Sequence, residues 1–147
     1  MELKEEKILN YRFAAYFNLL KTANGLDIEF KKILDQYKLT HQQFNILRIL
    51  KGNFPEPLSA NDIKERMIFK NSDVTRLMDR LAGKGYIKRE TCSANRRKID
   101  ILITQLGIEL LAEIAPSAKT FVESFFTDKI TEDEAKELYK ILNKLKT

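Results

Sequence analysis

The groups in this 147-residue chain with the charge and reach to do chemistry are cations and hydroxyls, and they gather in two short stretches. "NSDVTRLMDR", residues 71–80, spaces Asn71, Ser72, Thr75, Arg76 and Arg80 along one amphipathic repeat, and "NRRK", residues 95–98, sets Arg96, Arg97 and Lys98 side by side. Guanidinium and hydroxyl groups so placed can hydrogen-bond anionic oxygens and planar acceptors, which is recognition chemistry rather than bond-making. Catalysis would need an activated nucleophile, an acid/base pair or a cofactor cradle. The chain has one histidine and one cysteine, no glycine-rich phosphate loop and no nucleophile elbow, so an enzyme is not expected. A lone His and a lone Cys cannot build a zinc site, and neither metal nor cofactor is predicted.

Charge is distributed to match. Residues 1–58 hold 9 Lys/Arg against 7 Asp/Glu, residues 59–104 hold 11 against 6, and residues 105–147 hold 6 against 8. The middle segment alone therefore carries the net +5 of the whole chain, and it contains both cation clusters. With 44% hydrophobic and 32% charged residues the composition is that of one folded domain. Glu2, Glu5 and Glu6 interrupt any apolar run at the N-terminus, so neither a signal peptide nor a membrane span is predicted, and a cytoplasmic location is expected.

The elements that must position these groups follow from apolar periodicity. From Ile8 to Tyr37 apolar residues recur at helical spacing, giving one long helix or two, with a bend or break at Asn24–Gly25. Thr40, with Gln43 three residues on, opens "LTHQQFNILRIL" as a capping box, and "NFPEP" makes a turn. "LSANDIKERM" starts a short helix at Ser59. The next helix, capped by Asn71, carries Val74, Leu77, Met78 and Leu81 as a buried stripe. Ser72, Thr75, Arg76 and Asp79 then face out, with Arg80 on the flank, and Asp79 is expected to hold Arg76 or Arg80. Gly83 and Gly85 end the helix. "YIKRE" and "KIDILIT" alternate as the strands of a hairpin, with the cations at its tip and Ile99, Ile101 and Ile103 on its buried side. Thr104 caps a helical segment that Pro116 should kink or restart. Thr131 and Glu134 form a capping box for the last helix.

A short helix, a turn, a second helix with one buried stripe and one basic face, then a hairpin: this order predicts a mainly α fold with a small β-hairpin wing. It is a winged helix-turn-helix, residues 38–104, flanked by helices over 1–37 and 105–147. A major groove about 12 Å wide admits one such helix, so double-stranded DNA is the expected partner. Asn71, Ser72, Thr75, Arg76 and Arg80 become the groove and backbone contacts. Arg76 is the main base reader, since its paired donors can discriminate guanine by about 1–3 kcal/mol. Arg96, Arg97 and Lys98 would reach the backbone or the minor groove. An ordinary solvated helix face and loop is the alternative, and the concentration of charge argues against it.

From "LTHQQFNILRIL" through "LSANDIKERM", "NSDVTRLMDRLAGKGYIKRE" and "NRRKIDILITQLG", about residues 38–110, the chain resembles the multiple antibiotic resistance regulator (MarR) family of winged-helix repressors. The resemblance implies a homodimer built by interlocking N- and C-terminal helices, with two recognition helices about 34–36 Å apart on a pseudo-palindrome. Phe121, Val122, Phe125 and Phe126 agree with that, being more apolar bulk than one small lobe needs. It also implies response to a small anionic or phenolic effector, for which Tyr11, Phe13, Tyr16, Phe17, Phe30 and His41 are candidate pocket residues. Two positions depart from the family pattern. Asn95 stands where the wing usually has Asp, so an amide replaces the acid that would orient the arginines. Lys64 stands where a small residue is common, and it can snorkel outward or add a phosphate contact.

A rival function is a winged-helix module that binds protein or dimerises without reading DNA. Such a module would not need cations on both the recognition helix and the wing tip. The first-helix aromatics also suit plain packing, His41 suits an exposed position in a first helical turn, and Cys92 on the hairpin is expected to have no redox role.

Overall fold

The computed structural model describes residues 10–92, 94, 95 and 97–146. They fall into two compact units, residues 1–41 and 42–147. No helix among the described residues is long and apolar enough to cross a membrane.

The first unit is dominated by α1, Tyr11–Asp35. It starts where Asn10 turns its side-chain oxygen to the N–H groups of Arg12 and Phe13, satisfying two of the donors a helix start leaves open. The helix runs through Asn24–Gly25 as one element. Phe30 and Leu34 are buried, whereas Tyr11, Phe13, Tyr16, Phe17, Leu19 and Leu20 are exposed.

The second unit contains α2 (His41–Asn53), whose first residue belongs to the preceding unit, α3 (Ala60–Arg66), α4 (Val74–Gly83), β1 (Ile87–Thr91), β2 (Ile99–Ile103), α5 (Gln105–Thr127) and α6 (Glu132–Leu145). Its core joins Phe44, Ile46, Leu47 and Leu50 of α2, Ile63 and Met67, Val74, Met78 and Leu81 of α4, Ile87, Ile101 and Ile103 of the strands, and Leu110, Leu111 and Ile114 of α5. Each fully buried aliphatic side chain contributes about 1.5–3 kcal/mol, so this shared core is what orients the short elements. α3 is opened by a reciprocal capping box between Ser59 and Asp62.

Gly85, at φ +81, lets Tyr86 N–H reach Leu81 O while Gly85 N–H reaches Ala82 O, closing α4 and sending the chain into β1. β1 and β2 pair antiparallel from Ile87↔Ile103 to Thr91↔Ile99. Leu58 adds a two-bond bridge to Ile101, tying the residue before α3's cap to the wing. Ile101 and Ile103 are buried as the alternation requires. Ile99 is 52% exposed, because it pairs with Thr91 at the outer end of the ladder, beyond the Leu58 bridge.

Thr104 caps α5 by accepting from Gly107 N–H while its hydroxyl donates to Gly85 O at 2.6 Å. Pro116 neither stops nor restarts α5, which continues to Thr127. Proline forfeits one bond to the carbonyl four residues back, and both Pro116 and Ala112 are exposed, so water can take that carbonyl. The Thr131–Glu134 capping box opens α6 as the sequence predicts.

Candidate nucleic-acid interface

α4 is held by its inner face. Val74, Met78 and Leu81 are buried and Leu77 is half-buried, which turns Thr75, Arg76, Asp79 and Arg80 to solvent. The cap is Asp73, whose Oδ1 accepts Arg76 N–H at 3.1 Å, and not Asn71. Both residues are competent caps, but only Asp73 abuts the first buried position, Val74. Asn71 and Ser72 therefore belong to the turn before the helix, and Ser72 does not share the helix's outer face. Asn71 is exposed there, and Ser72 is half-buried with its N–H on Phe69 O.

Asp79 does not hold Arg76 or Arg80. It pairs with Arg89 Nη2 of β1 at 2.5 Å, a link between α4 and the hairpin. The "YIKRE" alternation shows Arg89 only as an outward strand residue; its partner depends on how the hairpin docks. Lys88 is likewise engaged, with Glu90 at 3.1 Å. Among the described residues no carboxylate pairs with Arg76, Arg80 or Arg97.

At the wing tip Arg97 and Lys98 are exposed, while Arg96 lies outside the described residues. Asn95 Oδ1 accepts Arg97 N–H at 3.0 Å and its carbonyl accepts Lys98 N–H at 3.0 Å. The amide thus shapes the turn through the backbone, an Asx-type closure that needs no negative charge. Cys92, half-buried, donates its N–H to Lys98 O. Asp62 of α3 has its carboxyl held below the ordinary value by the Ser59 backbone and hydroxyl hydrogen bonds, with Lys98 and Arg66 adding attraction. Lys98 thus has an acid nearby as well as solvent. Lys64 is exposed.

The six aromatic-pocket candidates do not form one cavity in the first unit. Tyr11 and Phe17 are exposed, and Phe17 meets Tyr16 edge-on at 5.2 Å. Phe13 and Tyr16 line a hollow of about 330 Å³ with Asn10 and Arg12. Phe30 is buried against the His41 ring at 5.0 Å. His41 is half-buried rather than exposed and idle, with Nδ1 2.6 Å from Asp27 Oδ1. In the second unit a cavity of about 640 Å³ lies between α2 and α5, with Phe44, Leu111 and Val122 as apolar wall and Arg48, Lys51 and Lys119 as cations. Sequence patterning missed it because Arg48 and Lys51 look like solvated positions on α2. Only the packing of α5 puts them beside an apolar wall.

Residues 39–99 match the MarR family model. An uncharacterised HTH-type transcriptional regulator of Bacillus cereus is 27% identical over 130 residues, spanning 88% of this chain and 85% of that protein. In fold, the chain is similar to S. aureus MepR, solved as a DNA complex, with a TM-score of 0.79 and 20% identity over 88% of this chain and 93% of that one. It is also similar to BpsR of Bordetella bronchiseptica, whose DNA binding is regulated by 6-hydroxynicotinic acid, with a TM-score of 0.78 and 22% identity over 88% and 90% of the two chains.

Proposed function

We propose that this chain, whose residues 39–99 match the MarR family model, is a homodimeric repressor of pseudo-palindromic operators, released by a small anionic aromatic effector. The observation that carries the DNA-reading part is the outer face of α4: Thr75, Arg76 and Arg80 are exposed, and the two arginines are uncommitted to any described carboxylate. In this reading α4 enters the major groove, Arg76 reads guanine, and Arg80 and the turn residues Asn71 and Ser72 take phosphates. Arg97, with Arg96 and Lys98, grips the backbone or the minor groove from the wing. The protein works in the cytoplasm, where its DNA is.

Dimerisation is supported by apolar surface that the chain leaves open. Tyr11, Phe13, Phe17 and Leu20 on α1 are exposed, as are Val122 on α5 and Ile141 and Leu145 on α6. α1, α5 and α6 would bury these residues against a second copy. For the effector, the cavity lined by Phe44, Leu111, Arg48, Lys51 and Lys119 suits an aromatic acid better than the dispersed α1 aromatics do. The apolar wall would take the ring, and Arg48 and Lys51 the carboxylate, Lys119 being paired with Glu123.

Two substitutions separate the roles. Arg76→Ala should relax sequence preference, costing about 1–3 kcal/mol on the best duplex and little on random DNA. Arg97→Ala should weaken all duplexes alike and lower the salt slope by about 1. Footprinting on the DNA flanking its own gene, with and without aromatic acids, supplies the duplex. Salt-insensitive binding of the unaltered protein would sink the proposal.

A further inference from the structure

Asn45 is a buried polar side chain that the DNA-reading face leaves unused. It sits on α2, 7% exposed, and its Oδ1 accepts the backbone N–H of Ile68 at 2.8 Å, across 23 residues of sequence. Ile68 opens the connector 68–73 between α3 and α4.

That connector has a directional problem. α3 is only 7 residues long, and at Met67, φ −62 and ψ 136, the chain leaves the helix. Other bonds of the connector are local in sequence: Ser72 N–H to Phe69 O at 3.2 Å, Lys70 Nζ to Glu65 O at 2.5 Å, and Arg76 N–H to Asp73 Oδ1 at 3.1 Å. They shape the turn and join it to the adjoining ends of α3 and α4, while the Asn45 bond joins it to α2. Met67 and Val74 are buried on either side, but apolar contacts are non-directional, so they set depth rather than rotation. A hydrogen bond of 2.8 Å does constrain direction. The Ile68 side chain is 72% exposed and adds little packing. A leucine would fill the Asn45 site at least as well, and a buried amide is costly unless bonded, so the choice of Asn is explained by the bond it makes.

We propose that Asn45 is a positioning residue for DNA recognition: by pinning Ile68 to α2 it fixes where α4 begins, and so which bases Thr75 and Arg76 reach, without itself touching DNA. The proposal rests on α4 being the DNA-contacting helix.

The test compares Asn45→Leu, which removes the acceptor and keeps the volume, with Asn45→Asp, which keeps an acceptor, and Ile68→Pro, which removes the donor. Met67 already has the extended backbone that a following proline requires. For each variant three quantities are measured: affinity for the duplex that the unaltered protein enriches from a randomised pool, affinity for random-sequence duplex, and Tm. Asn45→Leu should weaken the enriched duplex about tenfold, as expected for loss of one good hydrogen bond, and leave random duplex unchanged. Asn45→Asp should recover most of that loss. The Leu/Pro double variant should lose no more than either single one, because both break the same bond. Equal loss on both duplexes, a fall in Tm with no change in the affinity ratio, or additive single losses would each overturn the proposal. Arg76→Ala, run in parallel, must lower the same ratio by itself; if it does not, the assignment of α4 has failed, and that failure is seen independently of Asn45.

Discussion

Asp79→Asn removes the carboxylate that Arg89 Nη2 reaches at 2.5 Å, and two effects of opposite sign follow. The side chains are 60% and 35% exposed, so solvent screens the pair and its loss should cost about 0.2–1 kcal/mol. For a chain of this length, that lowers Tm by no more than roughly 4 °C. On DNA the sign reverses. One negative charge leaves the face that carries Arg76 and Arg80, and Arg89 is released from its partner. Each further phosphate a protein neutralises steepens the slope of log K against log salt by about 0.9, so a released Arg89 that takes one phosphate should steepen it by that amount. Random-duplex affinity at low salt should rise, and the preference for the specific duplex should fall as the non-specific term grows. Fluorescence anisotropy over a salt series from about 50 to 200 mM reads both quantities, with Tm taken on the same samples. An unchanged or shallower slope together with a large loss of Tm would refute the reasoning. It would mean that the pair is chiefly a clamp between helix and wing, and that its charge is not felt by DNA.

Gly107→Ala should destabilise strongly, because a Cβ there would collide with the Tyr86 carbonyl oxygen and lie 2.7 Å from Ile103 Cγ1. Overpacking of this kind costs about 1–3 kcal/mol, a Tm loss of roughly 3–10 °C by thermal melt, and an unchanged Tm would show that α5 and the β2 end can separate freely. The Ser59–Asp62 capping box should make stability acid-sensitive. The folded carboxyl is held below the ordinary carboxylate value by its hydrogen bonds to Ser59, so its contribution is full above the ordinary value and is lost as pH falls through the depressed one. The Tm gap between the native protein and Asp62→Asn should therefore be present at neutral pH and close in strong acid; a gap independent of pH would exclude the ionised cap as its source.

Much of the fold was legible because it is written locally. The α4 stripe, the hairpin alternation, the Thr104 cap and the Thr131–Glu134 box depend on residues within a turn or two of each other. Errors arose where two local signals competed or where a partner came from another element. Asn71 and Asp73 are both good caps, and adjacency to buried Val74 settles the matter in favour of Asp73. Ile99 obeys the alternation yet is exposed, since alternation says which face a residue takes and not how far the cover extends. Pro116 is expected to kink or restart its helix, and α5 does not restart there, the lost bond falling on an exposed stretch. Arg89 and Asn45 have partners 10 and 23 residues away, beyond any periodicity.

The cations make the same point about function. Residues 59–104 contain 11 of them, and a net charge of that sign says only that this segment favours a polyanion. The structure divides them. Lys88 and Arg89 are held by Glu90 and Asp79, Arg66 reaches Asn53, and Lys70 reaches the Glu65 carbonyl. Arg76, Arg80 and Arg97 have no carboxylate partner among the described residues, and they sit on the α4 face and the wing tip. A cation already paired must break that pair before it can take a phosphate, which offsets much of its gain, whereas an unpaired one need only shed counterions and water. Uncommitted charge, rather than total charge, is therefore the quantity that points to a DNA-binding surface. Asp79 matters because it keeps Arg89 in the committed set.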